Sequence, residues 1–201
     1  MIDFTALAKQ SHAISTAKGW WKEDRSPDYM ANDIHEHVAG AWRQWKKRGL
    51  REDRMIYALK IGDCTLGNRP KPYEGYEECG GEWCYLYRGG DASTAPCKPR
   101  GLAIELADVV IRLADWAEAM GTTSGILVGG LHDNMTPELY LAGLHSYVSM
   151  MSGHDEYDAE FCTRVVLSLA LGFAESHSIP LEEAIRVKMA WLETQEEWYG
   201  G

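Results

Sequence analysis

No stretch of the chain strings together the roughly 18 apolar residues that a membrane-spanning helix requires, so no membrane association is expected. The opening residues, MIDFTALAKQ, lack both the basic cluster and the apolar block of a secretory signal, and a cytoplasmic protein is expected. Basic side chains are in deficit, 20 against 30 acidic ones, for a net charge of −10. Such a surface repels a nucleic-acid backbone, which binds basic faces, so no direct nucleic-acid partner is expected. It also repels a free polyphosphate; one bound here must be met by a divalent cation or by local Lys and Arg. Cysteines do not pair off: there are five (Cys64, Cys79, Cys84, Cys97 and Cys162), an odd number without a secretion signal, which argues against a disulfide framework.

What is present suits one domain. The 201 residues are 45% hydrophobic, enough for a real core. Residues 3–18 alternate apolar and polar at helical spacing and stop at Gly19. Ser26-Pro27 then provides an N-cap and a first-turn proline for a helix to about Arg48, which ends in Lys46-Lys47-Arg48 before Gly49, where positive charge is favourable. Residues 51–61 fit a short helix or a strand equally well. Helical periodicity returns at Leu102 and runs to about Met120. Further helices are expected from Thr136-Pro137 to about Met151, over about 155–177, and from near Pro180 to about 195. The expected class is an all-α bundle, a single domain over 1–201 with an irregular insertion at about 62–100.

That insertion holds seven glycines, four prolines and four of the five cysteines, the composition of a loop-rich segment with one hairpin. Cys64, Cys79, Cys84 and Cys97 match zinc in number, since a structural Zn2+ site takes four tetrahedral ligands. Their spacing contains no C-x2-C knuckle, and single cysteines often pack as small apolar groups. Zinc here would be structural, with no open position for chemistry.

The segment Gly101–Asp115 is the most informative. Leu102, Leu106, Val109, Val110 and Leu113 make a broad apolar face, and Glu105, Asp108, Arg112 and Asp115 make one polar stripe beside it. Carboxylates three residues apart on a helix project together and can share Mg2+, a small hard cation that takes oxygen ligands and is commonly completed by substrate phosphates. An isolated E-x-x-D is more often a solvated helix face. Arg112 could pair with Asp108 or Asp115.

The neighbouring segments resemble the MazG-like family of all-α nucleoside triphosphate pyrophosphohydrolases, in family order and over most of the chain. HAISTAKGWW at 12–21 looks like the family's opening helix and turn, and IHEHVAGAWR at 34–43 looks like its I-H-x-E-[LV]-S-E-A helix. KPRG at 98–101 followed by IELADVVIR at 104–112 is similar to K-P-x-G…E-L-A-D-V-[IV]-I-R, and IPLEEAIRVKM at 179–189 to the terminal helix. The resemblance implies a MazG-like helical bundle, at least a homodimer, with the site near a subunit interface. It implies cleavage of a nucleoside triphosphate between the α and β phosphates, with the metal held by four carboxylates from two helices. By that carry-over Glu105 and Asp108 are catalytic carboxylates and metal ligands, and Lys188, Arg112 and Lys98 are candidate phosphate contacts.

Two positions depart from the pattern. The first carboxylate pair falls on His37 and Gly40, so both glutamates are missing. Asp33 and Glu36 are the nearby acids able to compensate, with Glu36 a candidate catalytic group and Asp33, Glu36 and His37 candidate ligands. An imidazole favours zinc, manganese or nickel over magnesium. After Lys188, Leu192 and Gln195 stand where the family has asparagine and arginine. Two readings stay open: a divergent metal-dependent pyrophosphohydrolase, and a catalytically inactive nucleotide-binding or protein-interaction member of the fold. Among the tryptophans, Trp20, Trp21, Trp42, Trp45, Trp116 and Trp191 are expected mostly in packing, with one available to stack on a base.

Overall fold

The computed structural model describes residues 2–51, 55–59, 76–79, 82–86, 99–123, 135–152 and 159–195, the strands at 57–59, 76–79 and 82–86 by their backbone. These residues are mostly helical, as composition and periodicity suggest. Helix α1 spans Phe4–Ala17; Asp3 caps it by accepting the Ala6 N–H at 3.0 Å, and Gly19, at φ 79°, ends it by turning the chain in a conformation that side chains disfavour. A short 3-10 turn, Trp20–Lys22, leads to α2, Pro27–Arg48. Ser26 accepts from the Tyr29 N–H at 3.1 Å, Pro27 opens the helix, and Gly49 at φ 67° closes it.

The remaining helices are α3 (Leu102–Ala119), α4 (Pro137–Met150), α5 (Ala159–Ser176) and α6 (Leu181–Thr194). Their ends fall within a few residues of the punctuation in the sequence. Helix α3 lies at the centre. It packs on α1, α2, α5 and α6, and every residue from Leu102 to Ala117 except Glu105 is buried. Its expected amphipathic face is therefore a core on all sides. Each fully buried Leu, Val or Ile contributes about 1.5–3 kcal/mol relative to exposure, which makes α3 the element the others are held by.

The described residues of the insertion hold one hairpin and a two-residue strand, and a strand just before it joins them in a sheet. Strands β1 (Tyr57–Leu59), β2 (Tyr76–Cys79), β3 (Glu82–Leu86) and β4 (Pro99–Arg100) form an antiparallel sheet in the order β2-β3-β1-β4. Of the ambiguous stretch 51–61, Tyr57–Leu59 is a strand. Tyr57 pairs with Arg100, and the Ala103 N–H donates to the Met55 carbonyl at 3.1 Å. The sheet is thus tied to the first turn of α3, next to Glu105. Cys79 and Cys84 lie on paired strands, with Glu77 opposite Cys84 and Glu82 opposite Cys79 in the register. Their side chains, and Cys64, Cys97 and Lys98 altogether, lie outside the described residues, and so does the zinc proposal.

Candidate functional site

The polar stripe of α3 does not face water. Asp108, Arg112 and Asp115 are 6%, 4% and 0% exposed, which removes the solvated-face alternative for these three. A buried charge is tolerated only when paired or hydrogen-bonded, and each of the three meets a different helix.

Asp108 faces α6. The Lys188 ammonium donates to its Oδ2 at 2.8 Å, and both residues are buried. Burial pushes the Asp108 carboxyl upward; Lys188, then His37 and Arg112, more than offset this, and the net result is below the usual carboxylate range. Arg112 faces α2: its Nε stands 3.0 Å from Asp33 Oδ2, and its guanidinium lies over the Trp20 ring, 4.5 Å from the centroid. It thus pairs with Asp33 on α2, and its charge also acts on Asp108 of its own helix. Burial still raises the Asp33 carboxyl above its ordinary value, because desolvation outweighs the attraction of Arg112 and His37.

Asp115 faces α1 and the turn after it. Its Oδ1 accepts from His12 Nδ1 at 2.8 Å, Ser15 Oγ at 2.9 Å and Trp21 Nε1 at 2.9 Å. Through this cluster the HAISTAKGWW segment acts structurally, docking α1 and the Trp20–Lys22 turn onto the central helix. Nothing in the local sequence linked Asp115 to residues about a hundred positions earlier.

At the open end of the stripe, His37 Nδ1 lies 3.5 Å from Glu105 Oε2 and 3.7 Å from Asp108 Oδ2. One ligand atom from each of His37, Glu105 and Asp108 falls within 4.8 Å of the others. Ligands of a small octahedral cation sit about 3 Å apart when adjacent and about 4.2 Å apart when opposed, so modest side-chain movement brings all three into range. One imidazole and two carboxylates fit a divalent cation, and favour Mn2+ or another transition metal over Mg2+.

Gly40 shapes this group. A Cβ at position 40 would stand 2.6 Å from the Glu105 carboxyl carbon, so the absent side chain is what lets Glu105 lie against α2. The position that carries no ligand makes room for one.

The other sequence candidates divide. Asp33 joins the site through Arg112, whereas Glu36 is solvent-exposed and outside the three-residue group. Trp20, Trp116 and Trp191 are buried in packing, and Trp191 lies 5.1 Å from the Lys188 ammonium; Trp42 is exposed. His177 is held by the Met135 carbonyl at 3.1 Å and by the rings of Tyr140 and Phe173. A groove between α1 and α6, lined by Leu7, Ile185 and Met189 among others, contains none of the site residues.

With His37 neutral, the charges are three carboxylates (Asp33, Glu105, Asp108) against two cations (Arg112, Lys188), a net of −1. A divalent cation would turn this to +1. No helix among the described residues is long and apolar enough to cross a membrane. Comparisons of the chain with protein-family models, with curated proteins and with solved structures return no match.

Proposed function

We propose that the chain is a divergent, metal-dependent pyrophosphohydrolase on a MazG-like helical bundle, cleaving a nucleoside triphosphate or a related nucleotide to the monophosphate and pyrophosphate. The observation that carries this reading is the convergence of His37, Glu105 and Asp108 beside the buried Lys188. These three residues would hold the cation, with Mn2+ preferred and Mg2+ the alternative. When bound, such a cation offsets phosphate charge and lowers the pKa of a coordinated water.

The chain's own groups supply the rest. Lys188 offers a point charge to a phosphate, exchanging Asp108 for the substrate. Arg112, fixed between Asp33 and the Trp20 ring, holds α2 and α3 in register so that His37 stays opposite Glu105. Glu105, the more exposed of the two α3 carboxylates that would hold the cation, is the group best placed to accept a proton from water.

The test is product analysis. With Mn2+ and a panel of nucleoside triphosphates, the wild-type chain releases pyrophosphate and monophosphate, and Glu105→Gln does not. Orthophosphate and diphosphate as products, or equal release by Glu105→Gln, would overturn the mechanism. One observation favours a second reading, a nucleotide-binding protein without turnover: the pairs Lys188–Asp108 and Arg112–Asp33 already neutralise two of the three carboxylates without a metal. Nucleotide binding by calorimetry with no product release would select that reading. Elution at twice the monomer mass would support a homodimer.

A further inference from the structure

Helix α2 presents His37 to α3, but His35 to α4, because residues two apart on a helix do not share a face. The ring of His35 stacks on that of His145, 5.1 Å between centroids and 22° between planes, with the two Nδ1 atoms 2.9 Å apart. Both residues are half-buried on packed, well-formed helices. We propose that His35 and His145 form a second metal site, an inter-helix clamp for a late divalent transition metal such as Ni2+ or Cu2+. It is independent of the nucleotide reading.

The hydrogen bonds prepare this pair for a metal. Ser149 donates its one hydroxyl proton to the His145 carbonyl at 3.0 Å, so its oxygen is left to accept from His35 Nε2 at 3.2 Å. In the tautomer that this arrangement fits, the His35 proton is on Nε2 and Nδ1 is a lone pair directed at His145. Fixing a ligand histidine through its far nitrogen is the usual outer support of a metal site. Between the rings, the His145 Nδ1 proton then bridges to His35 Nδ1. A metal ion takes the place of that proton. The Nδ1 proton of His145 leaves to solvent and its Nε2 takes one up, so both imidazoles stay neutral and no net proton is released.

The order of affinities selects the metal: imidazole nitrogens suit late first-row ions, and Cu2+ and Ni2+ stand at the tight end of the series. Both rings turn to aim their Nδ1 lone pairs at one ion, which replaces the 2.9 Å contact between them. Bound there, the ion would staple α4 to α2.

The experiment is Ni2+ titration of the full chain by calorimetry, beside electron paramagnetic resonance of the Cu2+ adduct. The wild-type chain is expected to bind one equivalent of Ni2+ more than His145→Gln, and its Cu2+ signal to show coupling to two imidazole nitrogens. His37→Gln retains that equivalent, which separates this site from the one on α3. Ser149→Ala weakens it by roughly tenfold. His35→Gln serves as the second probe if His145→Gln misfolds. Equal Ni2+ stoichiometry in the wild type and in the folded variant, or a Cu2+ spectrum that the substitution leaves unchanged, overturns the proposal.

Discussion

Replacing Lys188 by methionine isolates the charge that holds the site together. Methionine keeps most of the aliphatic stem and the packing against Trp191, and removes the ammonium that sits 2.8 Å from Asp108 Oδ2. Asp108, 6% exposed, is then a buried carboxylate without its strongest partner. Breaking a buried ion pair from one side costs about 3–5 kcal/mol, a large share of the roughly 5–15 kcal/mol of a typical domain. Lost attraction to the Trp191 ring adds about 0.5–1 kcal/mol. The pH dependence carries a sign. In the wild type the Asp108 carboxyl titrates below its ordinary 3.8, so its contribution is present above that value and fades as pH falls through the lower folded value. In Lys188→Met burial acts with its main opponent removed, the carboxyl titrates higher, and the variant's deficit shrinks as the medium is acidified. Urea unfolding in EDTA at pH 7 and near pH 4.5 reads both effects. Asp108→Asn combined with Lys188→Met should recover most of the loss, since no unpaired charge remains buried. A deficit under about 1 kcal/mol at pH 7, or one of equal size at both pH values, would refute the reasoning.

Other perturbations separate stability from function. Gly40→Ala gains up to about 1 kcal/mol of helix propensity, yet its Cβ displaces the Glu105 carboxyl group, so the expected variant is as stable as the wild type and binds Mn2+ roughly tenfold more weakly by calorimetry. His37→Glu replaces an imidazole by oxygen ligands and should move metal preference from Mn2+ toward Mg2+ in pyrophosphate release. Burial lowers the His145 imidazole, and burial with His145 nearby lowers that of His35, so the folded chain takes up these protons less readily than the unfolded one. Metal-free stability should therefore fall as pH drops below 6.5, and the fall should be smaller in His35→Gln, as thermal unfolding across pH 5–8 would show.

Local signals in the chain reached the helices and stopped there. Ser26-Pro27 and Gly49 bracket α2 because capping depends on residues within one turn of each end. Pairing of Tyr57 with Arg100 joins strands separated by more than forty residues, and no local pattern announces it. The spacing of Glu105, Asp108, Arg112 and Asp115 marked the correct face of α3, but the partners are non-local: Lys188, Asp33 and the His12–Ser15–Trp21 cluster. Local spacing offers Arg112 only the neighbours on its own helix, and the Asp33 partner on α2 lies beyond it. A helix buried on every side finds its partners on other helices. Gly40 looked like a lost ligand and acts as the space for Glu105. His35 and His145, 110 residues apart, carried no spacing to notice.

The most direct measurement is anomalous diffraction from crystals of the chain grown with Mn2+ and a non-hydrolysable nucleoside triphosphate analogue. The expected result is a Mn2+ peak within bonding distance of His37 Nδ1 and of carboxylate oxygens from both Glu105 and Asp108, with Lys188 turned to a phosphate. A nucleotide bound elsewhere, or Mn2+ absent from these three side chains while Lys188 stays on Asp108, would contradict it.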